Sequence, residues 1–538
     1  MTSLRMGPVY QLFPDLSRRT RINHHGPGKN WENGRGRWSL RSKTVVLVAF
    51  YNVKALGVRY LETALRAAGW NVATVYFKRF NSRAPSPATA RELELLTKLV
   101  ERERPVFVGL SVMSSMYLET VEQVIRALKG AGETVACGGA YASLEPKRLL
   151  TLGADYVLRL DGEKSIVALA ETLKSGGDPR VLDNLCYLEG GGAHCNPIAP
   201  LEEDLDVYGQ PTVNSPNAYL IDEDRCVPGD PQLDTLSYEV IASRGCPFTC
   251  SYCACQNLRR LYPAGSKPIR FRSVDSVMAE LEEARRQCKR LVFVHFYDEI
   301  FPNTPGWVEE FAAAYKQRIG LPFSIWTHPK IVDGPMLKTL KDAGLVEVIM
   351  GIQSGSPYIR KDIFHRYETN EDVARATRVI AESGVFWASY DFMLLHPFET
   401  ADTMRETYEL VKGIPGHYEL QMHGLNFLPA TDIVPMAVEG GFVTAADMEA
   451  TLYAPMAEQF STYWHEQGDE ESRRWYALTY LWQFPRLRRR CLEWEDAPGA
   501  YAGDIDTLYE KAKRMEKRRY LRKKAGVVLR RLGVRKHR

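Results

Sequence analysis

The chain has 538 residues, of which 45% are hydrophobic and 25% are charged. This length exceeds a single core and predicts about three domains, and the composition excludes a disordered or fibrous protein. The formal net charge of +4 is unevenly distributed, because the tail from Lys511 to Arg538 holds fourteen Lys or Arg and one acid, Glu516. The rest of the chain is therefore net acidic, which argues against a nucleic-acid partner for the body of the protein.

Residues 1–41 predict a flexible lead-in, because they lack the apolar stretch of a secretory signal. No apolar run is long enough to cross a bilayer, so we expect a cytoplasmic protein. Ten cysteines in a chain of this length do not make a disulfide scaffold. Four of them fall between Cys246 and Cys255, and such clustering indicates metal or redox work.

Residues 42–195 alternate apolar, β-branched runs with stretches of helical spacing. The predicted strands are Thr44–Phe50, Asn71–Phe77, Val106–Ser111, Thr134–Cys137 and Tyr156–Leu160. This alternation predicts an α/β domain with a doubly wound, Rossmann-like sheet, whose ligands bind beyond the carboxyl ends of the strands. Residues 196–237 are rich in Pro, Asp, Asn and Gly without a clear period, which predicts a linker.

A second alternating series occupies residues 238–436. Its predicted strands are Tyr238–Ser243, Leu291–Phe296, Phe323–Trp326, Val346–Ile352, Val385–Leu395 and Glu419–Phe427. Such β/α units predict a partial or full β/α barrel, with catalytic groups at the carboxyl ends of the strands. Residues 437–510 predict a helical C-terminal domain, and residues 511–538 form the basic tail.

The cysteine cluster follows the first strand of the second series. Arg244–Gln256 reads RGCPFTCSYCACQ, with the spacing C-x3-C-x2-C. Soft thiolates at this spacing suit an iron–sulfur cluster, whereas a zinc ribbon needs a second, distant Cys pair that is not present. Three ligands leave one iron of a four-iron cluster open. Cys255 is an alternative fourth ligand, although a fourth thiolate would close that iron.

The motif, with aromatic Tyr252 before its last cysteine, resembles the signature of the radical S-adenosylmethionine (radical SAM) enzymes. The resemblance implies that Cys246, Cys250 and Cys253 are the catalytic metal ligands of a 4Fe–4S cluster whose open iron chelates SAM. An electron from an external reductant of flavodoxin or ferredoxin type would then cleave SAM to methionine and a 5′-deoxyadenosyl radical. The alternative is a zinc or redox cluster.

Other barrel positions resemble the SAM-binding positions of that family. The implied contacts are Asp298 or Glu299 with the SAM ammonium group, Gln353 and Ser354 with its ribose or carboxylate, and Arg366 with its carboxylate. Gln353 stands where the family more often has Glu, so a hydrogen-bonding role survives without the charge. A cap or turn role is the alternative for the two acids, and a surface ion pair is the alternative for Arg366.

His396 departs from the family pattern at the exit of the fifth barrel strand. The stretch Met393–Thr400 reads MLLHPFET, and glycine is common at the histidine position. The departure predicts either a substrate contact or proton donor, or a histidine that is packed in the protein.

The first domain resembles the cobalamin-binding domain of one radical SAM class. The stretches that carry this resemblance are Val108–Met116, Val135–Ser143 and Gly153–Glu163. The small residues implied to cradle the corrin or its nucleotide tail are Ser111, Ser114, Gly138 and Gly139. The D-x-H-x-x-G motif of many cobalamin proteins is missing, because Tyr51–Arg59 contains no His. The alternative is a related domain that has lost cobalamin.

Together, these resemblances imply a cobalamin-dependent radical SAM methyltransferase acting on an unactivated carbon of a small-molecule, lipid or natural-product substrate. Two alternatives stay open: radical cyclisation, rearrangement or C–C coupling without methyl transfer, and a non-catalytic iron–sulfur or cobalamin sensor. The basic tail predicts either a peripheral contact with an anionic membrane or a solvated helix. No nucleic-acid partner is expected.

Overall fold

The structure, a computed structural model, describes residues 43–81, 84–462 and 469–531. The predicted lead-in, residues 1–41, lies outside the described residues, as do residues 532–538 of the basic tail. The described chain forms a sheet domain, a second parallel sheet with its own helices, and a C-terminal group of helices. This arrangement confirms the predicted fold class.

The first domain is built on a nine-stranded sheet. Its strands are β1 (Thr44–Phe50), β2 (Asn71–Phe77), β3 (Val108–Ser111), β4 (Val135–Gly138), β5 (Tyr156–Leu158), β6 (Leu185–Glu189), β7 (Gly192–Cys195), β8 (Ala218–Asp222) and β9 (Arg225–Pro228). Their spatial order is β7-β6-β5-β4-β3-β1-β2-β8-β9. The central strands are parallel, and the hairpins β6–β7 and β8–β9 form antiparallel edges. The chain reverses direction across the sheet between β1 and β3, which is where a doubly wound sheet opens a ligand crevice.

Helices cover both faces of this sheet, so its central strands are buried on both sides and read as continuous apolar runs. The helices are α1 (Leu56–Ala67), α2 (Ala90–Glu103), α3 (Leu118–Gly130), α4 (Ala140–Leu144), α5 (Pro146–Thr151) and α6 (Glu163–Ser175). The seven residues of β1 are all buried. Two separate apolar clusters lie on the two faces of the sheet.

The segment 196–237 differs from the predicted linker. Its strand β8 pairs in parallel with β2, and β9 completes an edge hairpin, so part of the segment belongs to the first sheet. Asp230 forms a buried ion pair with Arg59 of α1 at 2.7 Å, which fixes the segment to the domain. The apolar strand Ala218–Asp222 is too short to show a period among its polar neighbours. A disulfide between Cys186 and Cys195, which the sequence did not predict, joins β6 to β7.

The second domain contains a six-stranded, all-parallel sheet and a small antiparallel ribbon. Its strands are β10 (Ser237–Val240), β11 (Ser243–Arg244), β12 (Arg270–Phe271), β13 (Phe293–Phe296), β14 (Phe323–Thr327), β15 (Leu345–Gln353), β16 (Trp387–Met393) and β17 (Tyr418–His423). The sheet order is β10-β13-β14-β15-β16-β17, and β11 pairs with β12 in the ribbon. The intervening helices are α7 (Ala254–Arg260), α8 (Val274–Gln287), α9 (Trp307–Arg318), α10 (Gly334–Ala343), α11 (Asn370–Ser383) and α12 (Ala401–Lys412). Sequential parallel strands with crossover helices are the topology of a partial β/α barrel.

The C-terminal part is helical, as predicted. Its helices are α13 (Ile433–Glu439), α14 (Ala445–Leu452), α15 (Met456–Thr462), α16 (Glu470–Trp482), α17 (Arg488–Trp494) and α18 (Ala502–Arg531). Trp475 and Trp482 of α16 pack on Tyr408 of α12, whose hydroxyl donates to Glu495 at 2.7 Å. Among the described residues, no helix combines the length and apolar character that a membrane crossing requires.

Candidate active site between two α/β domains

The loop that carries the motif cysteines runs from β11 to α7 and is held from two sides. On one side, the Ser251 N–H donates to the Phe364 carbonyl at 3.0 Å, and the Ser251 hydroxyl donates to the Ile363 carbonyl at 2.5 Å. On the other side, Arg259 of α7 donates to the carbonyl of Cys246 at 2.9 Å. Because its backbone is tied to the barrel at both ends, the loop presents its thiols in a defined arrangement.

Gly245 starts this loop in a conformation that only glycine adopts without strain. Its φ is 101°, and a Cβ atom there would lie 2.1 Å from the Pro268 carbonyl oxygen. The glycine therefore allows the loop to turn directly against the segment that leads into β12.

The three predicted ligands lie together on this loop. Cys250 is buried, while Cys246 and Cys253 are half-buried. Burial raises the pKa of the Cys246 thiol to about 12 and also raises the pKa of Cys250, whereas a hydrogen bond from Cys255 lowers the pKa of Cys253. Within the described residues, no three His, Cys, Asp or Glu side chains are arranged around one metal ion. A four-iron cluster instead needs each thiolate to meet a different iron, and three thiols on one short loop fit that donor set.

Cys255, the alternative fourth ligand, lies within hydrogen-bonding reach of both Cys253 and Glu299, and its single thiol proton goes to one of them at a time. Its thiol donates to Glu299 Oε1 at 3.4 Å. This contact turns the side chain toward the cavity described below, because Glu299 lines that cavity.

Arg366 braces the cysteine loop from inside the protein. It is buried and donates to the Tyr252 hydroxyl at 3.2 Å, to the Gly351 carbonyl at 2.7 Å and to Glu368 at 2.6 Å. Burial alone would raise the pKa of Glu368, but the hydrogen bond from His328 and the charge of Arg366 outweigh it and lower the pKa to about 2. The surface ion pair considered for Arg366 is therefore wrong, since the pair is internal.

Gln353 and Ser354 end β15 but differ in environment. Gln353 has a φ of 71°, a left-handed conformation that is uncommon for a residue with a side chain and often occurs at functional sites. Ser354 is fully buried, and its hydroxyl lies 3.4 Å from Thr407 Oγ1 of α12. Gln353 is thus half-buried at the strand end, whereas Ser354 is packed against a helix.

The adjacent acids after β13 have separate roles. Asp298 is buried, and its Oδ1 accepts hydrogen bonds from the Ala242 N–H at 2.9 Å and the Ser243 hydroxyl at 2.5 Å. Burial raises the pKa of Asp298 to about 7. Glu299 instead faces the cavity, where enclosure by the surrounding protein raises its pKa. The structure therefore gives Asp298 a bracing role at the start of the cysteine loop and leaves Glu299 open to a ligand.

A cavity of about 320 Å³ lies between the two domains. From the first domain it is lined at the carboxyl ends of β3, β4 and β5, for example by Leu110, Ala136 and Leu158. The residues that line it from the second domain are Ile241, Ser243, Arg244, Gly245, Leu258, Tyr262, Tyr297 and Glu299. The lining thus includes residues on both sides of the cysteine motif, at the place where a doubly wound sheet binds its ligand.

Three of the four predicted cobalamin residues line this cavity: Ser111, Gly138 and Gly139. At Gly139, with a φ of 109°, a Cβ atom would lie 2.6 Å from the Val112 carbonyl oxygen, so the backbone approach there requires glycine. Ser114 is not among the lining residues; its hydroxyl caps the turn Ser115–Tyr117 by accepting from the Met116 N–H at 3.2 Å. These small residues, set among bulkier apolar ones such as Leu47 and Phe107, give a flat cofactor such as a corrin access to the backbone.

His396 is a packed histidine in this structure. It is 2% exposed, and its ring lies 5.2 Å from that of Phe364 and 5.8 Å from that of Phe398. Its Nε2 is 3.9 Å from Glu399 Oε1. Burial lowers the pKa of His396 to about 3 and raises the pKa of Glu399 to about 8, so both are neutral at pH 7.

Two family matches coincide with the two halves of this site. Residues 240–411 match the radical SAM superfamily, and residues 42–170 match the B12 binding domain. The chain therefore carries a radical SAM domain and a B12-binding domain. The cofactors of these domains are a 4Fe–4S cluster, SAM and cobalamin, which confirms the cofactor expectations.

Known proteins resemble this chain over about half of its length or more. An uncharacterized methyltransferase of Pyrococcus horikoshii is 25% identical over 333 residues, which cover 60% of this chain and 67% of the relative. An anaerobic magnesium-protoporphyrin IX monomethyl ester cyclase of Rubrivivax gelatinosus is 23% identical over 266 residues. That match covers 48% of this chain and less than half of the cyclase, 44%.

A solved structure shares the overall arrangement. It is the radical SAM methyltransferase TsrM of Kitasatospora setae, determined with cobalamin and a [4Fe-4S] cluster bound. The match has a TM-score of 0.59 and 18% identity, and it covers 74% of this chain and 75% of TsrM. At this identity the similarity shows a common fold.

Sequence reasoning missed the residues that join the two halves of the site. Arg244 and Tyr262 line the cavity from the barrel side, and Asp161 and Glu163 line it from the first domain. An arginine two positions before the first cysteine, together with acids after a predicted strand of the other domain, was a usable signal, because strand ends of α/β units gather at ligand sites.

Proposed function

We propose that this radical SAM protein is a cobalamin-dependent methyltransferase that methylates an unactivated carbon of a small molecule, a lipid or a natural product. The observation that supports the proposal is that one cavity is lined both by Ser111, Gly138 and Gly139 of the B12-binding domain and by residues flanking the cysteine motif. A reactive carbon centre and its methyl donor must share an enclosed space, since solvent would quench the reaction. The methyltransferase matches favour the same reaction.

Specific roles follow for this chain's residues. Cys246, Cys250 and Cys253 would hold the cluster, and Ser111, Gly138 and Gly139 would hold cobalamin. Bound there, the cluster with SAM supplies a hydrogen-abstracting radical, and cobalamin supplies the methyl group. Gln353 and Arg366 are proposed to contact SAM. Arg366 also donates a hydrogen bond to Tyr252 of the cysteine motif.

Glu299 and the tyrosines of the barrel wall are proposed to position the substrate. Glu299 faces the cavity and accepts a hydrogen bond from Cys255, and enclosure raises its pKa. Tyr262 and Tyr297 add aromatic surface and hydroxyl groups to the same wall.

The proposed partners are a small-molecule or lipid substrate and an external one-electron reductant of flavodoxin or ferredoxin type. We propose a cytoplasmic location, where such reductants act. The basic tail from Lys511, helical as far as Arg531, is the proposed point of contact with an anionic membrane. No nucleic-acid partner is proposed.

A label-transfer experiment tests the proposal. The full chain, reconstituted anaerobically with iron, sulfide and cobalamin, is incubated with reductant, S-(trideuteromethyl)-labelled SAM and a small-molecule extract. We expect a compound that gains an intact CD3 group, and we expect that gain to disappear in Cys250→Ala. A labelled product that forms equally in Cys250→Ala contradicts radical methyl transfer.

Cyclisation is the second candidate, because the cyclase of Rubrivivax gelatinosus is 23% identical to this chain over 266 residues. It predicts substrate consumption with 5′-deoxyadenosine formation and no label in the product. A non-catalytic sensor predicts neither product nor SAM cleavage from a protein whose cluster is full.

A further inference from the structure

An ion-pair group crosses the boundary between the two domains beside the cavity. Arg244 on β11 contacts Asp161 at 3.2 Å and also forms an ion pair with Glu163. Asp161 lies in the turn between β5 and α6 of the B12-binding domain, and Glu163 is the first residue of α6. Arg270, the β12 residue directly paired with Arg244, binds the other oxygen of Asp161 at 2.6 Å.

The guanidinium of Arg244 is also enclosed by aromatic rings. It lies 5.0 Å from the ring centre of Tyr60 and 5.0 Å from that of Tyr208. Glu163 is almost fully buried, and its second oxygen, Oε2, has no hydrogen-bond partner in the described part of the chain. The planar guanidinium of Arg244 is held in one orientation by the two acids and the two rings. A lysine ammonium group lacks this forked hydrogen-bonding geometry and does not reproduce the arrangement.

The same residues touch both cofactor sites. Asp161, Glu163 and Arg244 line the cavity, as does Gly162 between the two acids. Arg244 is two residues before Cys246, and Gly245 between them is constrained by Pro268. A shift of the Asp161–Glu163 turn therefore moves the start of the cysteine loop, and a shift of the loop moves the cavity wall.

We propose that Arg244 is a positioning residue that couples the two cofactor sites, so that cobalamin binding and cluster binding favour each other. Closure of the Asp161–Glu163 turn on Arg244 completes the cavity and orders the beginning of the cysteine loop in one step. Coupling between two sites is reciprocal, so each cofactor raises the affinity for the other by the same factor. This inference rests on the proposed function, because it requires that both cofactors bind.

The test is an equilibrium titration that does not depend on turnover. Hydroxocobalamin is titrated into the full chain, with and without a reconstituted cluster, and its binding is followed by visible absorbance. We expect the dissociation constant to fall about tenfold when the cluster is present, within the roughly 5–150-fold range of typical couplings. In Arg244→Gln, the ratio of the two constants should fall to about one. In Glu163→Gln it should fall partway, and Arg244→Gln combined with Glu163→Gln should add nothing to Arg244→Gln alone.

Arg260→Gln is the matched control. Arg260 lies on α7 of the same segment and pairs with Asp432 within the second domain, so its loss should leave the ratio at the wild-type value. If Arg244→Gln does not fold, Arg244→Lys keeps the charge without the fork and should still lower the ratio.

Two results overturn the inference: a ratio of one in the wild type, or a wild-type ratio in the folded Arg244 variants. Failure of the proposed function looks different, since a wild-type chain that binds no hydroxocobalamin with or without its cluster lacks the cofactor itself.

Discussion

The two walls of the cavity differ in what makes them suitable for a cofactor. The wall from the B12-binding domain depends on the small size of its residues at Ser111, Gly138 and Gly139. The wall from the barrel depends on polar and aromatic groups held by hydrogen bonds, such as Arg244 and Glu299. A large flat ligand needs backbone access, whereas a reacting centre needs fixed charges and donors. Substitutions on the two walls should therefore fail in different ways.

The largest expected effect is on the barrel side. Cys250→Ala removes a proposed cluster ligand, so 5′-deoxyadenosine formation from SAM should fall by more than about a hundredfold, because changes to residues that only support a metal ligand already cost 10–100-fold. Chromatography of quenched anaerobic reactions measures this. Cys288→Ala is the control, since Cys288 is buried next to Gln232 and does not line the cavity. Equal loss in both variants would contradict the ligand assignment.

The opposite wall should fail by steric blockage. Ser111→Phe inserts a ring into a cavity of about 320 Å³, so hydroxocobalamin affinity should fall by about a hundredfold while SAM cleavage by the cluster continues. Ser111→Ala leaves the space open and should bind normally. Unchanged affinity in a folded Ser111→Phe variant would place cobalamin elsewhere.

A pH-dependent effect is expected in the barrel, which buries His396 beside Glu399. Burial raises the pKa of Glu399 to about 8, against about 4.3 when unfolded, so stability present below the unfolded pKa is lost as pH rises toward 8. Between about pH 6.5 and pH 8, the wild type should lose about 2 kcal/mol relative to Glu399→Gln, whose side chain does not titrate. His396 titrates near pH 6.5 in the unfolded chain and is neutral when folded, but both proteins carry it, so its contribution cancels in this difference.

Denaturant unfolding of the wild type and Glu399→Gln at both pH values measures this difference. Parallel stability curves across the window would show that the Glu399 carboxyl is not held neutral by burial.

The smallest expected effect distinguishes two neighbouring serines, Ser111 at the end of β3 and Ser114 just after it. Ser114→Ala removes the cap of the turn Ser115–Tyr117, so the free energy of unfolding should fall by about 1 kcal/mol. Hydroxocobalamin affinity should stay at the wild-type value, because Ser114 does not line the cavity. Thermal unfolding and the same absorbance titration check both statements. Weakened hydroxocobalamin binding in Ser114→Ala would show that Ser114 belongs to the cobalamin site.

Periodicity and one motif were enough to predict the five central strands of the first sheet, the six strands of the second and the cysteine loop. The strand predicted over Phe323–Trp326, for example, is observed as Phe323–Thr327. Strand β8 was missed because five residues in a Pro- and Asp-rich segment show no period until they pair with β2. Its place in the sheet depends on a long-range pairing that local pattern does not contain.

Neighbouring candidates within the site could not be separated by sequence. Asp298 and Glu299 are adjacent, yet one braces the cysteine loop and the other faces the cavity. Ser111 and Ser114 divide in the same way between the cavity and a cap. Which side chain faces a cavity between domains depends on how the domains meet, and Arg244 is a residue that makes that contact.

The most direct test is one reaction containing the cluster- and cobalamin-loaded full chain, SAM, a reductant and the small-molecule extract. Both 5′-deoxyadenosine and S-adenosylhomocysteine are quantified in it. We expect the wild type to form both compounds and Cys250→Ala to form neither. We expect Ser111→Phe to form 5′-deoxyadenosine without S-adenosylhomocysteine. A fully loaded wild-type protein that forms neither compound would contradict the proposed function.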